Sequence, residues 1–106
     1  MKELSPEELE GLLRFNRERK AVYVYTPLCG TCKVATKMLE IVENTMPSLE
    51  ILRINLNQAP QLAKEWKVKS VPCLLILSQN QIVFRKYAFE SVHTLYDTFR
   101  KMKLGS

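Results

Sequence analysis

The sequence lacks features that several classes of protein require. It has only three glycines and no glycine-rich loop, so nothing predicts a phosphate-binding turn or a nucleotide cofactor. No apolar run approaches the ~18 residues needed to span a bilayer. The opening residues are acidic, rather than basic and then apolar as in a secretory signal. The sequence therefore predicts a cytoplasmic protein without a membrane partner, with export after signal removal as the alternative.

Cysteine and histidine are scarce as well. Three cysteines are an odd number, which argues against a secreted scaffold held together by disulfides. A closed zinc site needs four ligands, and beyond Cys29 and Cys32 only Cys73 and His93 remain as candidates. Neither of these shows the paired spacing of metal ligands. No metal site is predicted, and His93 is expected to be an ordinary residue near the start of the last helix.

Composition and charge point to one globular domain covering residues 1–106. The apolar share is 46% and the charged share is 25%, both ordinary for a folded chain of this length. The net charge is +5, but the basic residues are scattered and fall late in predicted helices, where they favour the helix dipole. No aromatic residues interleave with them as in single-strand binders. We expect a solvated basic surface, no nucleic-acid partner and a monomer.

Apolar spacing, caps and breakers predict alternating helices and strands. Ser5 and Glu8 form a capping box that starts the first helix. The later predicted elements are a strand at 21–25, a helix over 34–42, a strand at 49–56, a helix opened by Pro60, a strand at 73–77, a hairpin turn at 79–81 with a strand at 82–87, and a helix capped by Ser91. Early β-α-β alternation implies a parallel pair, and the hairpin adds antiparallel strands. This order predicts an α/β fold with a central mixed sheet flanked by helices on both faces.

A Cys-x-x-Cys pair lies where a predicted strand gives way to a predicted helix. Residues three apart on a first helical turn lie within the ~4.4–6.8 Å Cα spacing that a disulfide tolerates. The unpaired N–H groups at the helix start stabilise the thiolate of Cys29. Cys32 is then near enough to resolve a mixed disulfide. The pair predicts reversible thiol–disulfide exchange.

The segment from Tyr25 to Lys33, Tyr-Thr-Pro-Leu-Cys-Gly-Thr-Cys-Lys, resembles the active-site segment of thioredoxins. A Val-Pro pair, Val71-Pro72, follows about forty residues later, before a buried strand, where that family carries its cis-proline. The resemblance implies a thioredoxin-like three-layer fold, with Cys29 as nucleophile and Cys32 as resolving cysteine. The substrate-binding residues that it implies are Leu28, Gly30, Thr31, Val71 and Pro72. The backbone of Val71 would pair with an extended substrate segment.

The sequence departs from the thioredoxin pattern at several places. Leu28 occupies the position of the usual tryptophan, and Thr31 occupies that of the proline between the cysteines. Lys37 occupies the position of the proline inside the active-site helix. Ala88 occupies the position of a glycine after the last strand. Tyr23 occupies the position where the family has a buried acid that accepts the proton of the resolving cysteine. The family's first strand is expected to be missing, which leaves about four strands. These changes predict a thioredoxin-like protein rather than a housekeeping thioredoxin.

Two functions follow as hypotheses. The first is an oxidoreductase that reduces disulfide-containing protein substrates, supplied with electrons by a reductase or a low-molecular-weight thiol and needing no cofactor. The second is a redox-dependent binding module of the same fold with weak or no turnover, which the missing acid and tryptophan keep open. Cys73 opens a strand that is apolar on both faces, so we expect it to be buried and inert.

Overall fold

The fold is described here from a computed structural model, which covers residues 1–15 and 17–105. Asn16 and Ser106, which the predicted 1–106 domain includes, lie outside the described residues. The strands are β1 (Lys2–Glu3), β2 (Lys20–Tyr25), β3 (Ile51–Asn55), β4 (Cys73–Ser78) and β5 (Gln81–Lys86). The α-helices are α1 (Pro6–Phe15), α2 (Gly30–Thr45), α3 (Pro60–Glu65) and α4 (Val92–Lys101), and a single 3-10 turn, Leu56–Gln58, follows β3. No helix in these two stretches is long and apolar enough to cross a membrane.

Local side-chain contacts fix where the helices begin. The Ser5 hydroxyl accepts a hydrogen bond from the Glu8 amide at 3.1 Å, and the Glu8 carboxylate accepts one from the Ser5 amide at 2.9 Å. The Ser91 hydroxyl caps α4 by accepting from the Thr94 amide at 3.0 Å. Each cap satisfies backbone donors that have no partner inside the helix. The predicted capping box and the predicted Ser91 cap are both confirmed.

The sheet places β2 at its centre. The strand order is β1-β3-β2-β4-β5. β2 runs parallel to β3, with Ala21 opposite Ile51, and antiparallel to β4, with Tyr23 opposite Leu74. The β4–β5 hairpin turns at Gln79 and Asn80, whose φ angles are 53° and 67°. The predicted mixed sheet is confirmed, and its central strand leads directly into the cysteine motif.

The prediction of about four strands was wrong by one, because the sheet contains five strands. Lys2 and Glu3 form an additional edge strand, parallel to β3, with Lys2 opposite Leu52. The Leu4 amide extends this pairing by donating to the Arg53 carbonyl at 3.0 Å. Two charged residues carry no apolar alternation, so the pattern could not reveal a strand here. Charged residues and short length are typical of protected sheet edges.

Helices cover both faces of the sheet because residues of opposite parity on each strand point to opposite sides. On one face, Ala21 and Tyr23 of β2 pack with residues of α2 and α4 that include Leu39 and Phe99. On the other face, Val22 and Val24 pack with buried residues of α1 and with the region around α3. The three-layer α/β architecture is therefore confirmed. The sheet separates the core into two halves. Helix α2, which carries Cys32, packs on only one of them.

Candidate active site

The cysteine pair lies at the junction between β2 and α2. Cys29 is the N-cap of α2, with φ −92° and ψ 113°, and its sulfur accepts a hydrogen bond from the Cys32 amide at 3.1 Å. The two Cα atoms are 5.1 Å apart, and the two sulfurs are at disulfide-bonding distance. This Cα spacing is within the range that disulfides require. The helix start thus brings the two cysteines together in their oxidised form.

The two cysteines differ in their exposure to solvent. Cys29 is half-buried, whereas Cys32 is only 2% exposed. Leu28 is 98% exposed, and Gly30 and Thr31 are exposed as well. A partner approaching the loop therefore meets Cys29 first, with Leu28, Gly30 and Thr31 around it.

Positive potential surrounds the accessible sulfur. The first turn of α2 has no acidic residue, and its unpaired N–H groups carry the positive end of the helix dipole. Lys33 follows the second cysteine directly, and the Thr31 hydroxyl lies 3.3 Å from the Cys29 sulfur. A thiolate at position 29 is stabilised by such surroundings, because both the dipole and a nearby cation favour the charged form.

The Val71–Pro72 segment lies against the cysteine loop, although it is about forty residues away in sequence. The Cys29 sulfur is 3.9 Å from the Val71 carbonyl oxygen. The Val71–Pro72 peptide bond is cis, and both residues are half-buried. The fold thus brings together the cysteines and the Val-Pro pair, the two motifs singled out from the sequence.

Arg85 and Tyr87 hold the loop that leads to this segment, and the sequence analysis did not find them. The Arg85 guanidinium donates to the Trp66 carbonyl at 2.7 Å and to the Lys67 carbonyl at 3.2 Å. The Tyr87 hydroxyl accepts from the Lys69 amide at 3.1 Å. These contacts join residues 18 or 19 positions apart in sequence, so no local sequence pattern predicts them. Arg85 and Tyr87 therefore anchor the loop that precedes the Val71–Pro72 segment.

Two depressions flank the disulfide. The first, which we call the apolar groove, has a volume of about 400 Å³. Its lining includes Val34, Met38, Pro72, Ala88 and Phe89. The second, which we call the lysine pocket, has a volume of about 370 Å³. It is lined by both cysteines, by residues 25–27, and by Lys33, Thr36, Lys37 and Glu40 of α2. The surface around the sulfurs is thus apolar on one side, and on the other side its charged residues are two lysines and one glutamate.

Tyr23 lies directly beneath the first turn of α2. It is fully buried, and its hydroxyl donates to the Cys32 carbonyl at 2.9 Å and lies 3.0 Å from the Thr36 hydroxyl. Burial raises the pKa of this phenol above its ordinary value. The hydroxyl therefore remains protonated at neutral pH and cannot accept a proton from Cys32. A neutral donor occupies the position where the resemblance leads one to expect an acid.

Cys73 lies on the opposite face of the sheet from α2. It belongs to the half of the core built with α1 and α3, whereas Leu74 points into the half that contains Tyr23 and α2. The side chain is fully buried as a free thiol. Burial raises the pKa of this thiol to about 11, and the partly opposing influence of Arg85 and Tyr87 does not offset it. The sheet itself therefore separates Cys73 from the cysteine pair.

We expect Cys73 to be unreactive in the folded protein. A rise in pKa from 9.0 to about 11 lowers its thiolate fraction roughly a hundredfold at neutral pH, and burial slows access further. Thiol titration of the reduced protein should label Cys29 quickly and Cys73 only after denaturation. Cys73→Ala should keep full disulfide-exchange activity. A disulfide between Cys73 and either motif cysteine in the oxidised protein, seen by peptide mapping, would contradict this picture.

His93 lies away from the cysteines, exposed on α4, with its Nε2 atom 3.2 Å from the Asp97 carboxylate. Across residues 1–15 and 17–105, no three side chains of the metal-binding types converge on a common point.

Comparison with known proteins assigns the family. The thioredoxin family profile matches residues 1–101. Thioredoxin-like protein YusE of Bacillus subtilis is 39% identical over 101 residues, which cover 95% of this chain and 92% of that protein. Among solved structures, a chloroplastic thioredoxin z superposes with a TM-score of 0.82 at 18% identity, covering 97% of this chain and 94% of that one. A thioredoxin variant from Halobacterium salinarum superposes with a TM-score of 0.79 at 18% identity, covering 94% and 88% of the two chains.

These matches confirm the resemblance drawn from the cysteine segment and the Val-Pro pair, and they span nearly the whole chain. With its Cys29–Cys32 pair at disulfide distance, the chain belongs to the thioredoxin family and has the redox-active centre of a thiol–disulfide oxidoreductase.

Proposed function

We propose that this protein reduces disulfides in protein substrates, with Cys29 as the nucleophile and Cys32 as the resolving cysteine. The observation that carries this assignment is the difference between the two sulfurs: Cys29 is accessible at the start of α2, and Cys32 is 2% exposed behind it. Only the thiolate attacks a disulfide, and the surroundings of Cys29 favour that form.

The reaction proceeds in two exchanges. The Cys29 thiolate attacks one sulfur of the substrate disulfide, forms a mixed disulfide, and releases the other substrate sulfur as a thiolate. Cys32 then loses its proton and attacks the Cys29 sulfur, which releases the second substrate sulfur and leaves the Cys29–Cys32 disulfide. A reductase or a low-molecular-weight thiol returns this disulfide to the dithiol. The whole domain, residues 1–106, is proposed to act in the cytoplasm, where thiols are kept reduced.

The Val71–Pro72 segment and the residues around Cys29 support binding of an extended substrate. The Val71 backbone lies close to the Cys29 sulfur and would pair with the substrate main chain. Leu28, Gly30 and Thr31 are exposed on the other side of the sulfur. The apolar groove beyond Pro72 would accept an apolar side chain. Main-chain pairing of this kind gives affinity with limited sequence selectivity.

A redox-dependent binding module is the second candidate. It is favoured by Tyr23, because a protonated phenol beneath Cys32 offers no acceptor for the proton that resolution must remove. Such a protein would capture a substrate through Cys29 and release it slowly.

A turnover assay separates the two functions. The protein is supplied with a disulfide-bonded substrate protein and dithiothreitol, and the substrate thiols formed per molecule of protein are counted. Cys32→Ser is assayed in parallel, because its turnover measures how fast dithiothreitol alone releases the mixed disulfide. We expect many turnovers above the dithiothreitol background, with Cys73→Ala as the matched control that keeps them. Turnover no faster than that of Cys32→Ser would favour the binding module instead.

A further inference from the structure

Two cations line the lysine pocket. Lys33 and Lys37 both project from α2 and line the same depression as the two sulfurs. Among the residues that the structure describes, neither lysine takes part in an ion pair. On the other side of the disulfide, Lys86 is paired with Glu90 at 2.7 Å. The two lysines of the pocket therefore differ from Lys86, whose charge is neutralised by Glu90.

The one acid in the pocket is further from the chemistry than the lysines. At 1.5 Å per helical residue, Lys33 and Lys37 lie about 1.5 and 7.5 Å along the α2 axis from Cys32, and Glu40 about 12 Å. The helix start adds its own positive potential at the sulfur end. A substrate group next to the sulfurs therefore experiences mainly the two lysines.

We infer that the lysine pocket receives the carboxylate of an acidic residue beside the substrate cysteine, so that disulfides with acidic neighbours are preferred. This inference rests on the proposed function and specifies the class of substrate. An exposed lysine–carboxylate contact changes a rate or an affinity by about two- to fivefold. The attraction also raises the rate of encounter, and both effects weaken as salt is added. Lys37 is of special interest because it stands where the family pattern has a proline.

Peptides activated as 2-pyridyl disulfides can test this preference. The Cys29 thiolate attacks the peptide sulfur and a new sulfur–sulfur bond forms. The old bond breaks with its electron pair leaving on pyridine-2-thiolate, which takes a proton from the solvent and becomes neutral 2-thiopyridone, whose release is followed. Three peptides carry glutamate, glutamine or lysine two residues from their single cysteine. The measured quantity is the ratio of the glutamate rate to the glutamine rate. Any change in the reactivity of Cys29 itself cancels in this ratio.

For the native protein we expect a glutamate-to-glutamine ratio of at least threefold at low salt, and a lysine peptide slower than both. Lys33→Gln and Lys37→Gln should each lower the ratio, and the double variant should bring it close to one. Lys64→Gln removes an equal charge from α3, outside the pocket, and should leave the ratio unchanged.

Two results would overturn the inference: a ratio near one in the native protein, or a ratio that Lys64→Gln lowers as much as the pocket variants do. The proposed function has a separate readout in the same experiment. Exchange with the glutamine peptide but no preference for glutamate contradicts only the acidic-substrate inference. No exchange with any peptide contradicts the proposed function, and the inference with it.

Discussion

Replacing Cys29 by serine is expected to reduce disulfide exchange to the uncatalysed rate. A serine hydroxyl is not ionised at neutral pH, and the buried Cys32 sulfur, 2% exposed, cannot replace Cys29 as the attacking group. Replacing Cys32 by serine should have a different result. Cys29 still attacks the substrate, but nothing resolves the product, so one equivalent of mixed disulfide accumulates.

Mass spectrometry of the two variants after mixing with a substrate disulfide measures this outcome. The Cys32→Ser adduct should map to Cys29, and dithiothreitol should release it. Cys73→Ala in each background controls for adducts at the third cysteine. If Cys29→Ser formed the stable adduct and Cys32→Ser kept turning over, the roles assigned to the two sulfurs would be reversed.

Tyr23→Asp is expected to have opposite effects on stability and on catalysis. Tyr23 is fully buried, stacks with Tyr25 and meets Phe89 edge to face, so removing its ring should lower the free energy of unfolding by about 3–5 kcal/mol. The new carboxylate would lie beneath Cys32 and could accept its proton, which should speed decay of the mixed disulfide. A domain in the middle or upper part of the ordinary range of roughly 5–15 kcal/mol remains folded after this loss.

Tyr23→Phe is the matched control for this experiment. It keeps the ring but removes the hydroxyl that donates to the Cys32 carbonyl, so it should cost about 1 kcal/mol and leave the resolving step unchanged. Stability is measured by urea denaturation and resolution by stopped-flow. Thr36→Asp offers a second route, because Thr36 is only half-buried and its hydroxyl lies 3.0 Å from that of Tyr23. An unchanged resolving step in every folded carboxylate variant would show that the missing acid does not limit the rate.

Local signals made much of this fold predictable. The Ser5–Glu8 capping box and the Asn80 turn depend on residues that are neighbours in sequence, and the structure contains both. The cysteine motif was also visible, because its chemistry requires two residues at a fixed spacing on one helical turn. Its partner segment, Val71–Pro72, was recognised through family resemblance rather than through any property of the residues alone.

What the sequence could not reveal depends on contacts between distant residues. The edge strand β1 is formed from two charged residues that have no strand pattern of their own and pair only because β3 has a free edge. The hydrogen bonds of Arg85 to the Trp66 and Lys67 carbonyls exist only once β5 lies beside the loop. Likewise, the tyrosine at position 23 could be seen to replace an acid, but its hydrogen bond to Cys32 could not.

The central place of β2 bears on how rigid the site is. Because β2 is hydrogen-bonded to β3 on one side and to β4 on the other, its amides are shielded from exchange with solvent hydrogen until the whole sheet opens. The loop that carries Cys29 begins where this strand ends, and the half-buried Cys29 itself lies outside the sheet. The Cys29 sulfur, which exchanges one disulfide partner for another, therefore follows a strand that is paired on both sides. Substrates can be exchanged at the loop while the strand beneath it keeps its native order.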